Sequence, residues 1–301
     1  MRQSVFGASV QGASHIRSRT ECQDSFKKTV CDDGTIIMAV ADGHGSQACP
    51  FSKSGSNIAV NVFCKVMEEF HSGYADDLEK LLRYLNREGE TKVAQSVDSE
   101  WKRRVLKAHS SRKREVSFSA DGKKNREEIY RQYGSTLLGL MITPVFLFAF
   151  QLGDGDITYV DERGVDKLLE SEKILGTETH SLSKVDSWKR AISLVRRRSM
   201  NDIVPAVFIL STDGFSNSYK NEHEFERTCV DYFSMIVQHG AEAVDANLKH
   251  WLSETSEMGC GDDITLLIAY FASEQIDDES VSITASNLAV KKAEQEGNPN
   301  G

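Results

Sequence analysis

Short apolar runs with the composition of buried strands constrain the fold of this chain most strongly. Residues 35–41, 207–211 and 264–271 are such runs, and an aspartate lies within two residues of each of them. Runs of this length beside Asp-Gly and Asp-Asp pairs predict strands that enter or leave tight turns. None of the runs is long enough to cross a bilayer, so we expect no membrane association.

A hairpin is predicted near the middle of the chain. Residues 136–151 are apolar and β-prone, a Gly-Asp-Gly-Asp turn follows at 153–156, and residues 157–160 form the second arm. The next turn is predicted at Arg163 and Gly164.

Helical periodicity separates these strands. The predicted helices are residues 54–70, 76–85, 97–108, 187–198, 222–237 and 241–254. Hairpin-type strands mixed with a few long helices favour an α+β fold over a parallel doubly wound sheet. In that fold, sheet packs on sheet and helices lie outside.

Length and linker content favour one domain. The 301 residues suffice for one large domain or two ordinary ones, but only four prolines occur and no Pro/Ser-rich linker is present. We therefore expect a single domain over residues 1–272. Residues 273–301 are polar and charged, which predicts a mobile tail.

Cysteine usage and charge indicate the compartment and the partners. The six cysteines include no C-x-x-C pair, and the N-terminus lacks a signal-peptide pattern, so we expect a cytoplasmic protein. The net charge is −9, and the basic excess within residues 98–131 is small, with little aromatic interleaving. We therefore expect no nucleic-acid partner. The basic stretch is interpreted as a solvated helix face, with a docking surface for a phosphorylated partner as the alternative.

Four aspartates, Asp42, Asp154, Asp213 and Asp262, lie at the ends of β-like runs. A single Asp-Gly after a strand is usually only a turn. Carboxylates brought to one edge of a sheet repel one another unless a cation lies between them, and hard divalent cations prefer oxygen ligands. Four such positions, with Asp24 in a fifth polar cluster, therefore predict a Mg²⁺ or Mn²⁺ site.

An ordered set of short motifs accompanies these aspartates. It comprises G-A-S-H-I-R-S-R-T-E-C-Q-D at 12–24, A-D-G-H-G at 41–45, G-S-T at 134–136, G-D at 153–154, S-T-D-G at 211–214 and G-D-D-I-T at 261–265. Together the motifs resemble the metal-dependent type 2C serine/threonine protein phosphatases over about residues 7–270. The residues of the first motif are more like those of the bacterial branch. The resemblance implies a central β-sandwich of two mostly antiparallel sheets flanked by helices.

The resemblance also implies roles for the matching residues. Asp42 would bridge two Mn²⁺ or Mg²⁺ ions, the carbonyl of Gly43 would ligate the second ion, and Asp213 and Asp262 would complete the first. His44 would be the general acid that protonates the leaving oxygen.

The phosphate of the substrate would be bound by Arg19, five residues before Asp24, because a guanidinium fork matches phosphate oxygens. Arg17 competes for this role, and the spacing favours Arg19. The implied reaction is direct attack of a metal-bridging hydroxide on phosphorus, without a covalent enzyme intermediate.

Several residues near the implied site depart from the family pattern. Asp24 would hold metal-bound waters, and Gln23 stands where the family usually has Glu, which predicts weaker binding of the second ion. Asp154 would belong to a third, weaker cation position, and Asn217 argues against it because the family often has Asp there. Asp263 replaces a common Asn, and it is expected either to add charge to the site or to face solvent.

Residues 165–204 fall where this family carries a variable flap beside the active site. Arg196, Arg197 and Arg198 lie in this segment. They are interpreted as a solvated helix end, with contact to an acidic substrate as the alternative.

The predicted function is dephosphorylation of phosphoserine or phosphothreonine in proteins. This is a signalling reaction whose partners are a phosphorylated protein substrate and a cognate kinase. The alternatives are a phosphatase-like regulatory binding module and a metal-dependent hydrolase of another phosphoester, such as a nucleotide. Retention of Asp42, Asp213, Asp262 and His44 favours the enzyme, and no P-loop is present to support a nucleotide. The oligomeric state is left open.

Overall fold

The computed structural model describes residues 2–114, 118, 125–170, 180–198 and 205–272. Two five-stranded sheets pack face to face, and helices cover the outer face of each. This arrangement confirms the predicted α+β sandwich. In these ranges, no helix is both long and apolar enough to cross a membrane.

All strand pairings are antiparallel. Sheet 1 has the order β1-β10-β9-β6-β7, and sheet 2 has the order β2-β3-β4-β5-β8. The strands are β1 (Arg2–Val10), β2 (Ser25–Val30), β3 (Ile36–Ala41), β4 (Leu137–Ile142), β5 (Phe146–Leu152), β6 (Asp156–Asp161), β7 (Gly164–Lys167), β8 (Ile192–Arg197), β9 (Ala206–Ser211) and β10 (Ile264–Ala272).

The helices lie on the two outer faces, with α2 against sheet 2 and α7 and α8 against sheet 1. They are α1 (Ala13–Ser18), α2 (Ser52–Gly73), α3 (Leu78–Tyr84), α4 (Glu90–Ser111), α5 (Arg126–Arg131), α6 (Asp213–Ser216), α7 (Glu222–His239) and α8 (Ala241–Met258). A π turn, Leu85–Gly89, joins α3 to α4. Helix α7 begins where Asn221 accepts a hydrogen bond from the Glu224 amide at 3.0 Å, a side-chain cap.

Strand β3 shows why the apolar runs are continuous. Ile36, Met38 and Val40 face the core between the sheets, whereas Ile37 and Ala39 face the core beneath α2. A strand covered on both faces buries every side chain, so its sequence does not alternate between apolar and polar residues.

Two predicted elements are wrong. Residues 136–160 do not form one hairpin, because residues 136–151 contain both β4 and β5, which pair within sheet 2, while β6 belongs to sheet 1. The predicted helix 187–198 is a short 3₁₀ turn, Ser187–Arg190, followed by β8, which pairs with β5 at the edge of sheet 2.

Parts of the remaining predictions fall outside the described residues. The tail at 273–301 lies wholly outside them, and so do residues 171–179 and 199–204 of the predicted flap. Within the flap segment, the structure describes the edge strands β7 and β8.

The antiparallel register gives the sandwich two distinct ends. The ends of β1, β3, β5 and β9 meet the starts of β2, β4, β6 and β10 at what we call the aspartate end. The opposite end, the far end, carries the β2–β3 turn, the β4–β5 turn and the β6–β7 turn.

Candidate metal centre

All five predicted aspartates lie at the aspartate end, four of them in loops and Asp213 at the first residue of α6. Asp24 precedes β2, Asp42 follows β3, Asp154 lies between β5 and β6, Asp213 follows β9, and Asp262 precedes β10. They converge because antiparallel neighbours place the end of one strand beside the start of the next.

Asp24 lies at the centre of this group and is almost fully buried. Its Oδ2 accepts a hydrogen bond from Thr212 Oγ1 at 2.7 Å, and Thr212 Oγ1 in turn accepts one from the Thr265 amide at 2.9 Å. These bonds tie the loop before β2 to β9 and β10. The other oxygen, Oδ1, is buried without a hydrogen-bond partner.

Asp42 is held through its backbone. Its amide donates to Thr136 Oγ1 at 3.0 Å, and its carbonyl accepts from the Thr136 amide at 2.9 Å. The next residue, Gly43, bridges to Ser135. A side chain at Gly43 would collide with the Gln23 carbonyl, 2.8 Å from the Cβ position, so this close approach requires glycine.

The carboxyl groups perturb one another strongly. Burial, and then the charges of Asp24, Asp213 and Asp262, raise the pKa of Asp42 well above its ordinary value. Burial also raises the pKa of Asp24 to about 7, with a further contribution from the charge of Asp263.

Asp213 shows the same behaviour. Burial, followed by the charges of Asp154, Asp262 and Asp24, raises the pKa of Asp213 to about 7. In the described part of the chain, no lysine or arginine forms an ion pair with Asp24, Asp42 or Asp213. Among the described residues, these three carboxylates thus lie close together without a lysine or arginine to offset their charge.

The spacing of these carboxylates is wider than that of a closed coordination set. Within the described residues, no three of them bring ligand oxygens within 4.8 Å of one another. The side chain of Asp262 is 51% exposed. The candidate ligands therefore lie close enough to perturb one another's charge, around an open site that water can reach.

The donor set fits a hard divalent cation. All of the candidate ligands are oxygens, which is the preference of Mg²⁺ and Mn²⁺. Two buried oxygens, Asp24 Oδ1 and Gln23 Oε1, have no hydrogen-bond partner. Unsatisfied buried acceptors of this kind are costly unless a cation or an ordered water satisfies them.

His44 lies directly beside this group. Its amide donates to the Gly134 carbonyl at 3.1 Å. Its ring packs against Gly134, where a Cβ atom would lie 2.6 Å from His44 Cδ2. His44 is half-buried, so its side chain packs against Gly134 and is partly accessible to solvent.

Both candidate phosphate-binding arginines are exposed, on or just after α1. Arg19 follows the helix in a left-handed conformation with φ of 59°. The Arg17 guanidinium lies near Gly261, 3.6 Å from its Cβ position. Helix α1 is anchored there by the Ser14 amide, which donates to the Gly261 carbonyl at 2.9 Å. The structure therefore places Arg17 beside the loop that carries Asp262, and it gives no contact that singles out Arg19.

Asp263 has a structural role, joining two loops, that its sequence context did not indicate. It is buried, so the expectation that it faces solvent is wrong. Its Oδ1 accepts from the Gly12 amide and its Oδ2 from the Gln23 amide, both at 2.6 Å. His15 Nδ1 lies 2.8 Å from Oδ1. Asp263 thus holds together the loops on both sides of α1, and its charge contributes to the raised pKa of Asp24.

Asn217 and Asp154 flank Asp213. Asn217 Nδ2 donates to Asp213 Oδ2 at 2.9 Å, which orients that carboxylate. Asp154 lies between Gly153 and Gly155, whose φ angles of 100° and 108° are accessible to glycine and strained for other residues. The charge of Asp154 helps to raise the pKa of Asp213, which groups the two carboxylates.

The three consecutive arginines lie elsewhere. Arg197 pairs with Phe146 at the end of β8, which is the far end of the sandwich. Arg196 and Arg197 belong to a strand, so the predicted solvated helix end is wrong. The alternative contact with a substrate at the aspartates does not fit this position either.

The sequence profile of the family described as protein phosphatase 2C matches residues 11–253. This span covers well over half of the chain, so the chain belongs to the protein phosphatase 2C family. It includes Asp24, Asp42, Asp154 and Asp213 and ends before Asp262. No curated protein matches the chain.

Solved structures share the fold. The catalytic domain of the serine/threonine phosphatase PstP in complex with two manganese ions is 12% identical with a TM-score of 0.52, covering 90% of this chain and 99% of its own. The S. agalactiae serine/threonine phosphatase is 15% identical with a TM-score of 0.54, covering 89% and 99%. A C. elegans sex determining protein is 16% identical with a TM-score of 0.56, covering 90% and 65%.

Proposed function

We propose that this protein hydrolyses phosphoserine and phosphothreonine in proteins with the help of divalent cations. Water attacks phosphorus directly, and no covalent enzyme intermediate forms. The observation that carries this proposal is the group formed by buried Asp24 and half-buried Asp42 and Asp213 at the aspartate end, for which the described residues offer no lysine or arginine partner. The phosphatase family supplies the reaction class.

The residues that would hold two Mn²⁺ or Mg²⁺ ions are Asp42, Asp213 and Asp262 with the carbonyl of Gly43. Asp24 and Gln23 would accept hydrogen bonds from bound waters through their partnerless buried oxygens. When bound, such ions supply Lewis acidity toward the phosphate and make an attacking water more acidic. The bond from Asn217 keeps one Asp213 oxygen fixed in direction.

His44 would donate the proton that the departing serine or threonine oxygen requires. Its backbone bond to Gly134 and its ring contact there fix its position beside Asp42. Arg19 would bind the phosphate from the exposed edge of the site, and Arg17 is the competing candidate. The partners would be a phosphorylated protein and the kinase that phosphorylates it.

We also propose a cytoplasmic location. All six cysteines are free, which supports a reducing compartment.

The test is a rate assay of the full chain in Mn²⁺ with a phosphothreonine peptide and, in parallel, a nucleoside triphosphate. We expect the peptide to be hydrolysed and excess chelator to lower the rate at least about 100-fold. Faster hydrolysis of the nucleotide would instead indicate a hydrolase of another phosphoester. Peptide binding without turnover would indicate a regulatory binding module.

The role of His44 has its own test. His44→Ala should slow the phosphothreonine peptide by about 100-fold and an aryl phosphate far less, because an aryl oxide leaves without a proton. Equal slowing of both substrates would remove the assignment of His44 as the acid.

A further inference from the structure

A second group of metal-binding side chains lies at the far end, where β2 turns into β3. Cys31, Asp33 and His71, which we call the far-end cluster, bring a sulfur, an oxygen and a nitrogen within 4.8 Å of one another. Elsewhere in the described ranges, no three histidine, cysteine, aspartate or glutamate side chains do so.

The backbone holds two of the three donors in a tight turn. The Cys31 amide donates to the Thr35 carbonyl at 2.8 Å, and the Gly34 amide donates to the Cys31 carbonyl at 3.0 Å. Asp33 Oδ1 accepts from the Thr35 amide at 2.9 Å, and the Thr35 hydroxyl donates to Oδ2 at 3.0 Å. Cys31 and Asp33 are therefore fixed relative to each other before any ion binds.

The third donor comes from the last turns of α2. His71 Nε2 lies 2.8 Å from Asp33 Oδ2. The side chain of His71 is 11% exposed and that of Asp33 is 36% exposed. The cluster is thus buried on its helix side and reachable from solvent at Asp33.

The surroundings are negatively charged. Burial raises the pKa of the Cys31 thiol, and the nearby carboxylates of Asp33, Glu68 and Asp32 raise it further. Glu68 accepts a hydrogen bond from the Thr29 hydroxyl at 2.9 Å. In the described residues, His71 is the only basic side chain that forms an ion pair with Asp33. Such an excess of negative charge favours a divalent cation.

We propose that Cys31, Asp33 and His71 form a second cation site that takes Zn²⁺. Thiolate, imidazole and carboxylate together are the ligand types of Zn²⁺, whereas Mg²⁺ and Mn²⁺ prefer the all-oxygen set at the aspartate end. Three protein ligands leave the fourth tetrahedral position for water. The six residues of β3 separate the two sites by roughly 20 Å, so ions at the two ends bind independently.

An ion at this site would cross-link the β2–β3 turn to α2. Without an ion, the His71–Asp33 pair connects the turn to the helix, and the Cys31 sulfur is not bonded to either of these two side chains. The two arrangements differ in whether the sulfur is bonded, which is the property to measure.

The experiment is a titration of the full-length, reduced protein with Co²⁺, used as the spectroscopic substitute for Zn²⁺, in excess Mg²⁺. We expect a thiolate-to-cobalt charge-transfer band that saturates at one ion per chain and disappears when Zn²⁺ is added. Cys31→Ser should abolish the band. His71→Gln and Asp33→Asn should weaken Co²⁺ binding at least about tenfold.

Two matched cysteine variants serve as controls. Cys22→Ser removes the thiol near the aspartates, and Cys260→Ser removes an exposed thiol, so both variants should keep the band. Circular dichroism should show that each variant is folded, and Cys31→Ser should retain the phosphatase rate. A wild-type protein without the band, or a band that survives Cys31→Ser, would overturn the proposal.

Discussion

At the far end of the sandwich, Asp161 and Glu79 have cationic neighbours, whereas at the aspartate end Asp24, Asp42 and Asp213 have no lysine or arginine partner among the described residues. Asp161 Oδ2 lies 2.6 Å from Arg163 Nη2, and Glu79 is bound by both terminal nitrogens of Arg197 at 2.6 Å. In the described part of the chain, no lysine or arginine pairs with Asp24 or Asp42 at the opposite end. Among the described residues, the polypeptide therefore neutralises Asp161 and Glu79 with arginines and leaves Asp24 and Asp42 without a lysine or arginine partner.

This difference does not come from a lack of basic residues near the aspartates. Lys167 pairs with Asp156 at 3.2 Å, only two residues from Asp154. Lys53 reaches the Asp24 backbone carbonyl at 2.6 Å and does not pair with the Asp24 carboxylate. A lysine at the cluster would cancel the charge that attracts divalent cations. Burying like charges together destabilises the fold, so a requirement for stability alone would not explain this arrangement.

Substitution within the aspartate cluster should have the largest effect. Asp213→Asn removes a charge while keeping the shape of the side chain, so cation binding should weaken and the phosphatase rate in Mn²⁺ should fall about 1,000-fold. This corresponds to about 4 kcal/mol of transition-state stabilisation. The rate with a phosphothreonine peptide measures the effect.

Asp231→Asn is the matched control for this substitution, because Asp231 is exposed on α7. The control should retain the wild-type rate. A full wild-type rate in Asp213→Asn, with cation dependence unchanged, would exclude Asp213 from the centre.

The next largest effect should be the pH dependence of the cation-free protein. The pKa of Asp24 is about 7 in the fold and lies near 3.8 ordinarily, so between these values the folded state holds a proton that the unfolded state has lost. Stability should therefore fall as pH rises from about 4 to about 7, by about 3 kcal/mol for this group, and remain low above that.

Urea unfolding at the two pH values, with chelator and with Mg²⁺, tests this expectation. Mg²⁺ should remove most of the decline, because the bound ion replaces the proton as the compensating charge. Asp24→Asn should flatten the curve measured in chelator. If stability instead rose over this range in chelator, the inference that burial raises the pKa of these carboxyl groups would be wrong.

A third contrast lies between two adjacent residues of the aspartate end. Asp263→Ala leaves the Gly12 and Gln23 amides without their acceptor, so the free energy of unfolding in Mg²⁺ should drop by about 2 kcal/mol. Asp263→Asn keeps one acceptor oxygen and should cost less. Asp262→Asn, at the half-exposed neighbour, should lower the phosphatase rate and leave stability nearly unchanged, because its amide oxygen still accepts from the Asp263 amide. The reverse pattern would show that the two roles had been exchanged.

Asp262 and Asp263 also show which parts of the site can be predicted from the sequence. The strand-end positions of Asp42, Asp213 and Asp262 are predictable because apolar runs and Asp-Gly pairs are local signals. The role of Asp263 is not predictable from local pattern, since it accepts from the amides of Gly12 and Gln23, which are 251 and 240 residues away along the chain.

The errors in the predicted fold have similar causes. Thr143 and Pro144 lie inside one apolar stretch, and the Thr143 hydroxyl accepts from the amides of Val145 and Phe146 to close a turn there. A single Thr-Pro step was too weak a signal to divide residues 136–151 into two strands. The segment Ile192–Arg197 has no strong period, and only its pairing with β5 makes it a strand.

The smallest effect should come from the far end. Glu79→Gln breaks the ion pair with Arg197, whose two groups are both exposed. Exposed pairs contribute little because water and salt screen them, so the phosphatase rate should stay within about twofold of wild type. The urea midpoint should barely move at physiological salt. A large loss of rate in Glu79→Gln would mean that charge at the far end is coupled to the aspartates, and the contrast between the two ends would then have to be abandoned.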